Sequence, residues 1–124
     1  MSSRPQLKQI YLNIGGEGPL RTVIRDFYRR MSNDILIGFF FTGKDLDSIA
    51  EKQMEFLMVA MGIRSKFTGK NPSQAHLTLP PILSGHFDRR LVLLRETLAQ
   101  NGLSETDIQV WIDFEEAFRA VVVS

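Results

Sequence analysis

Apolar side chains in this chain recur at helical spacing almost from end to end, and that regularity narrows the available folds more than any other feature. Leu20, Val23, Ile24, Phe27, Tyr28 and Met31 follow one another at steps of three, one, three, one and three, which sets them on one face of a helix. A second stripe, Leu46, Ile49, Gln53, Phe56, Leu57 and Ala60, belongs to a helix starting near Asp45. A third, Phe87, Leu91, Leu94 and Leu98, runs through "GHFDRRLVLLRETLAQNG" and stops at Asn101-Gly102. Ser104 with Asp107 resembles a capping-box start. Ile108, Trp111, Ile112, Phe118, Val121 and Val122 then mark the last helix.

Shorter pieces fill the gaps. Residues 4–13 form a first segment, and the glycines of "IGGEGP" break it ahead of Pro19, which suits a first helical position. "SNDILIGFFFTGKD" reads as a tight, turn-like helix ending at Gly43. "GIRSKFTGKNPS" reads as a loop, and residues 72–78 as a short helix. The terminal "AVVV" is β-branched, as strands are, yet no other segment offers it a strand partner, so it is expected to be helical. The sum is an all-α chain with about four substantial helices, in a single domain over residues 1–124.

Composition removes several function classes. The chain has no cysteine, which excludes disulfides, thiolate zinc sites and iron–sulfur clusters, and fits a reducing compartment. A net charge of +1 gives no strong field for nucleic acid or an acidic membrane. The pairs Arg29-Arg30 and Arg89-Arg90 are read as solvated helix faces rather than a nucleic-acid patch. The first residues, "MSSRPQLKQIYLN", hold no apolar signal core, so a cytoplasmic location is expected. The run "ILIGFFF" is far too short to span a bilayer, so no membrane association is expected.

Two polar side chains interrupt the apolar stripes, Tyr28 and Gln53. A buried polar group without a partner costs about 1–3 kcal/mol, so each must find a partner in the core or face a cavity. Both histidines, His76 and His86, lie in "QAHLTLPPILSGHF". No HExxH motif or histidine–carboxylate cluster supports zinc, and a protein-only zinc site would need carboxylates from scattered positions. A haem iron asks less: the porphyrin supplies four nitrogens and the protein one axial imidazole. A chain poor in ligands and rich in aromatics is compatible with haem.

Four stretches in order, "IGGEGPLRTVIRDFYRRMSND", "FFFTGKDLDSIAEKQMEFL", "FTGKNPSQAHLTL" and "HFDRRLVLL", resemble the truncated haemoglobins, the two-over-two globins. The likeness runs from about Tyr11 to the end of the last helix. It implies a globin-like two-over-two helical sandwich holding haem b, with dioxygen or another diatomic gas as ligand. It implies His76 as the proximal iron ligand, Tyr28 as a hydroxyl donor to the gas, and Gln53 as a second distal donor. Phe41 matches an aromatic that stacks on the porphyrin, and Ile49 a variable distal gate. Lys52 matches a basic residue that reaches a haem propionate, and Phe56 and Leu57 match apolar wall positions. Phe67 and Phe87 complete the cofactor-binding set. His86 starts the "HFDRRL" helix and is read as a helix-start or surface residue.

The chain departs from its relatives in three places. "MGIRS" stands where "GGP" is common, Phe67 where a tyrosine is common, and Arg90 where a subgroup has tryptophan. Arg90 is expected on the outer helix face with Arg89, because burying an unpaired charge is expensive. The alternative places it in the distal cavity, where a guanidinium would favour anionic ligands. Three functions stay open at this point: reversible gas binding, nitric oxide dioxygenation with a separate reductase, and a haem-free interaction or regulatory module that keeps the globin shell.

Overall fold

The computed structural model describes residues 4–64 and 81–123. Six α-helices and one 3-10 turn make up these residues: α1 (Arg4–Ile14), α2 (Glu17–Ser32), the 3-10 turn (Gly38–Phe41), α3 (Leu46–Ala60), α4 (Ser84–Gln100), α5 (Glu105–Glu116) and α6 (Arg119–Val122). Among the described residues there is no strand. Ala120, Val121 and Val122 are helical as expected and Val123 is extended; the helix is interrupted at Ala117–Phe118 before α6 begins. The short helix expected over residues 72–78, and most of the preceding loop, lie outside the described residues.

Local chemistry sets the boundaries. Gly15 and Gly16 sit at φ +102° and +97°, a region that side chains with a Cβ avoid, so the chain turns sharply between α1 and α2. The helix after this turn begins at Glu17 with Gly16 as its N-cap, so Pro19 is its third residue rather than its first. Proline is still harmless there, because the first-turn N–H groups have no intrahelical acceptor. Asp45 caps α3 by accepting from the Ser48 N–H at 3.2 Å. Ser104 caps α5 through the Asp107 N–H at 3.1 Å, but the Asp107 carboxylate does not close the box. It accepts instead from Asn13 at 2.9 Å and so ties α5 to α1.

The helices assemble as two pairs, α2 with α3 and α4 with α5, joined where α2 meets α4, with α1 laid against α5. All six apolar-stripe residues of α2, from Leu20 to Met31, are buried in the interior. On α3 the deepest residues are Ala50, Met54, Leu57 and Met58. The stripe expected from the sequence shares only Leu57 with that set. Leu46, Ile49, Gln53, Phe56 and Ala60 are half-buried and form a second, shallower face beside it. Helix α3 thus has one face in the core and one that the described core does not fully cover.

No helix of the described residues is long and apolar enough to cross a membrane.

Candidate functional site

Tyr28 anchors the site. Its position on the buried face of α2 leaves it only 6% exposed, packed between Phe27 at 5.7 Å and Phe41 at 5.9 Å, ring centre to ring centre. The Phe41 ring meets it edge-on at 82°. Phe41 is delivered by the 3-10 turn, which starts at Gly38. A Cβ on Gly38 would lie 2.7 Å from the Ser32 carbonyl oxygen, so only glycine lets this turn pack so closely on the end of α2. Burial pushes the Tyr28 hydroxyl above its ordinary pKa, with the Arg90 charge pulling weakly the other way. The phenol is therefore neutral and keeps its proton to donate.

Ile49 and Gln53 follow on the shallower face of α3, one turn apart and both half-buried. Phe56 extends the same face and packs on Phe118 at 5.6 Å and Phe114 at 6.3 Å. Leu57 is fully buried and belongs to the main core as well. The Lys52 ammonium lies at the outer rim with its side chain 54% exposed, 3.9 Å from the Glu55 carboxylate. Phe87 is buried near the start of α4, under the Arg119 guanidinium at 4.7 Å.

His86 is in the first turn of α4. Its Nδ1 accepts the Leu83 N–H at 3.0 Å, and its ring meets Phe39 and Phe40 edge-on at 5.6 and 5.1 Å. The imidazole is thus a helix-end cap. The reciprocal bond of a capping box is missing, because the Leu83 side chain has no acceptor. His76 and Phe67, expected as iron ligand and cofactor contact, lie outside the described residues. Among those residues no group of three or more histidines, aspartates or glutamates could hold a metal ion.

Arg90 corrects the sequence reading. It does not point outward. Its Nη2 donates to Glu115 Oε2 at 3.1 Å, its Nη1 approaches the Met31 sulfur at 3.6 Å, and its Cζ stands 5.0 Å from the centre of the Phe27 ring. The guanidinium and the Tyr28 phenol lie near enough to influence each other's ionisation. Burial works against its charge, but the attraction of Glu115 outweighs that and holds the guanidinium above its ordinary range. The expectation failed because it assumed an unpaired charge. Glu115, with its side chain 7% exposed, supplies the partner from a different helix, 25 residues away. The other arginines of the two basic pairs are also matched: Arg29 and Arg30 by Asp26, and Arg89 by Asp34 at 2.7 Å.

Glu115 is the residue that sequence reasoning missed. The available signal was its spacing of four from Trp111, which puts a carboxylate on the buried face of the last helix. Two buried polar atoms on that face, Glu115 Oε1 and Trp111 Nε1, have no hydrogen-bond partner among the described residues.

Of the expected site residues the structure brings Tyr28 and Phe41 into contact, and it sets Ile49, Gln53 and Phe56 on one half-buried face of α3, while Phe56 packs on Phe114 and Phe118 and Phe87 lies under Arg119. The sequence profile of the bacterial-like globins matches residues 9–124, nearly the whole chain. The chain is a truncated globin. Haem binding goes with that membership. The group 1 truncated hemoglobin of Tetrahymena pyriformis is 29% identical to this globin over 106 residues, covering 86% of this chain and 85% of that protein. Group 1 truncated hemoglobin LI410 of Chlamydomonas moewusii is 30% identical over 100 residues, which are 80% of this chain and 58% of that longer protein. The Fe(III) crystal structure of the Tetrahymena pyriformis protein superposes with a TM-score of 0.84 at 27% identity, covering 93% of this globin and 97% of the other chain. The all-α, two-over-two fold expected from the sequence is therefore the observed one.

Proposed function

We propose that this globin holds haem b through His76 and binds dioxygen, or another diatomic gas, on the side of the haem facing Tyr28 and Gln53. When bound, the haem supplies an iron with one open coordination position. The observation that carries the reading is the buried, neutral Tyr28 hydroxyl set among Phe27, Phe41 and Arg90. A hydroxyl fixed in a water-poor interior donates to a ligand that gathers negative charge, without reorganising as it does so. Gln53 is the second donor, also neutral. Ile49, one turn earlier on the same face, stands where a side chain of variable size would control entry. Phe41, Phe56, Leu57, Phe67 and Phe87 exclude water and pack on the porphyrin. Lys52, with its stem on the helix and its ammonium at the rim, reaches a propionate. The assignment of His76 rests on the sequence resemblance.

The test is optical. Purified protein supplied with haem should show an intense Soret band, and its ferrous spectrum should change on adding carbon monoxide. His76→Ala should abolish haem retention or weaken it sharply. Tyr28→Phe should keep the Soret band and speed dioxygen dissociation about 5- to 100-fold, the equivalent of one hydrogen bond of about 1–3 kcal/mol. A colourless protein after haem supplementation would favour the haem-free module instead. Consumption of nitric oxide at catalytic rates, given an electron donor, would move the reading to dioxygenation with a separate reductase.

A further inference from the structure

Arg90 and Glu115 put an ion pair on the side of the core where Tyr28 lies, with Phe27 and Met31 as its other neighbours. Gas binding does not call for either. An arginine–carboxylate pair in such a place is costly to desolvate and is weak grounds for stability, since apolar residues of similar size often serve as well. The pairing is also incomplete. Arg90 gives one strong bond to Glu115 Oε2, while its Nη1 meets the Met31 sulfur at 3.6 Å, a weak acceptor. On the other partner, Glu115 Oε1 is buried with nothing bonded to it among the described residues. Each member therefore keeps capacity for a further ligand. The guanidinium stands over Phe27, the ring packed against Tyr28, so the two kinds of donor can converge on one small molecule.

We propose that Arg90 is the ligand-selecting residue of this pocket, and that with Tyr28 it captures small monoanions, while Glu115 holds the guanidinium in place and moderates its charge. This rests on the haem reading above. The ligand class follows from the donors: a planar cation with a free arm beside a neutral hydroxyl favours a compact anion over a neutral diatomic. Glu115 limits the effect, because its own charge repels the same anion. The two residues must then act in opposite directions on anion affinity, which a shared structural role would not produce.

The experiment uses the haem-loaded ferric protein, titrated with fluoride and with azide by absorption, alongside carbon monoxide binding to the ferrous form. Arg90→Leu should weaken both anions about 10- to 100-fold, the loss of one charge-assisted hydrogen bond. Carbon monoxide affinity should move less than about threefold. Glu115→Gln, which still accepts from Arg90, should tighten both anions by about three- to tenfold. Arg90→Lys, which keeps the charge but not the fork, should fall between wild type and Arg90→Leu. If Arg90→Leu fails to fold for want of a partner for Glu115, the double variant Arg90→Leu with Glu115→Leu removes both charges and should bind both anions more weakly than Glu115→Gln does, with a smaller loss from wild type than Arg90→Leu alone, because the repulsion from Glu115 goes too. Anion affinities unchanged in the Arg90 variants, or moved in the same direction by Glu115→Gln and Arg90→Leu, overturn the proposal while a normal Soret band leaves the haem reading intact. Wild-type protein that takes up no haem overturns both.

Discussion

At the scale of single residues, Asp34 shows how one carboxylate can join distant parts of this fold. Its Oδ1 accepts two bonds from Arg89 on α4, at 3.0 and 2.7 Å, and its Oδ2 accepts the N–H groups of Leu36 and Ile37 at 3.0 and 3.2 Å. The Arg89 bonds, helped by those two N–H groups, hold its pKa below the ordinary 3.8 despite burial. A folded pKa below the unfolded one means that the stabilisation is complete above the ordinary value and disappears as pH falls through the lower, folded value. Asp34→Asn should therefore be destabilised at neutral pH, with its gap to wild type narrowing below about pH 4, close to the ordinary aspartate pKa. Denaturant midpoints of both proteins between neutral and strongly acid pH measure it. A gap that stays constant with pH would show that the charge of Asp34 is not what matters. Single residues were also where the sequence was least informative. Tyr28 and Gln53 announced themselves by interrupting apolar stripes. Arg90 was misplaced, because its partner Glu115 is fixed by how α4 lies on α5, and no local pattern records that contact.

At the scale of elements, spacing did most of what was asked of it. The α2 stripe, the stop at Asn101-Gly102 and the Ser104 cap all follow from side-chain period and capping chemistry, which are local. The α3 reading was shifted around the helix by roughly one position, because two apolar stripes lie side by side there. Period alone cannot say which of them meets α2. The 3-10 turn was legible as a tight, turn-like helix ending at Gly43, but the reason for Gly38 is tertiary. Its missing Cβ makes room for the Ser32 carbonyl, at 2.7 Å from where that atom would be. Gly38→Ala should push the turn away from α2 and carry Phe41 with it. We expect a loss of about 1–3 kcal/mol in chemical denaturation, as for other overpacked sites, and a shifted Soret maximum from the moved ring. An unchanged melting curve would mean that the turn has more slack than its geometry suggests.

For the whole molecule, the core and the pocket we propose share helices without sharing all their residues. Leu57 belongs to both, while Ile49, Gln53 and Phe56 stand on the face the described core leaves half covered. Haem should therefore act as a missing part of the interior. Binding only to the folded state, it should raise stability by about 2.7 kcal/mol at a hundredfold excess over its Kd. Melting curves with and without haem should separate accordingly, and most of that separation should vanish in His76→Ala. Equal melting temperatures with and without haem would show that the folded chain has no preference for the cofactor.

The final clip on the fold is Arg119. From α6 it reaches back to Ser84 and Asp88 at the opening of α4, with bonds of 2.8 and 2.6 Å, and lies over the Phe87 ring. The last few residues of a polypeptide are often expendable trimming. Here Arg119 braces the opening of the helix that carries Phe87, which we propose as a cofactor contact, so deleting residues 119–124 should loosen that end of α4 and, with it, the hold on the porphyrin.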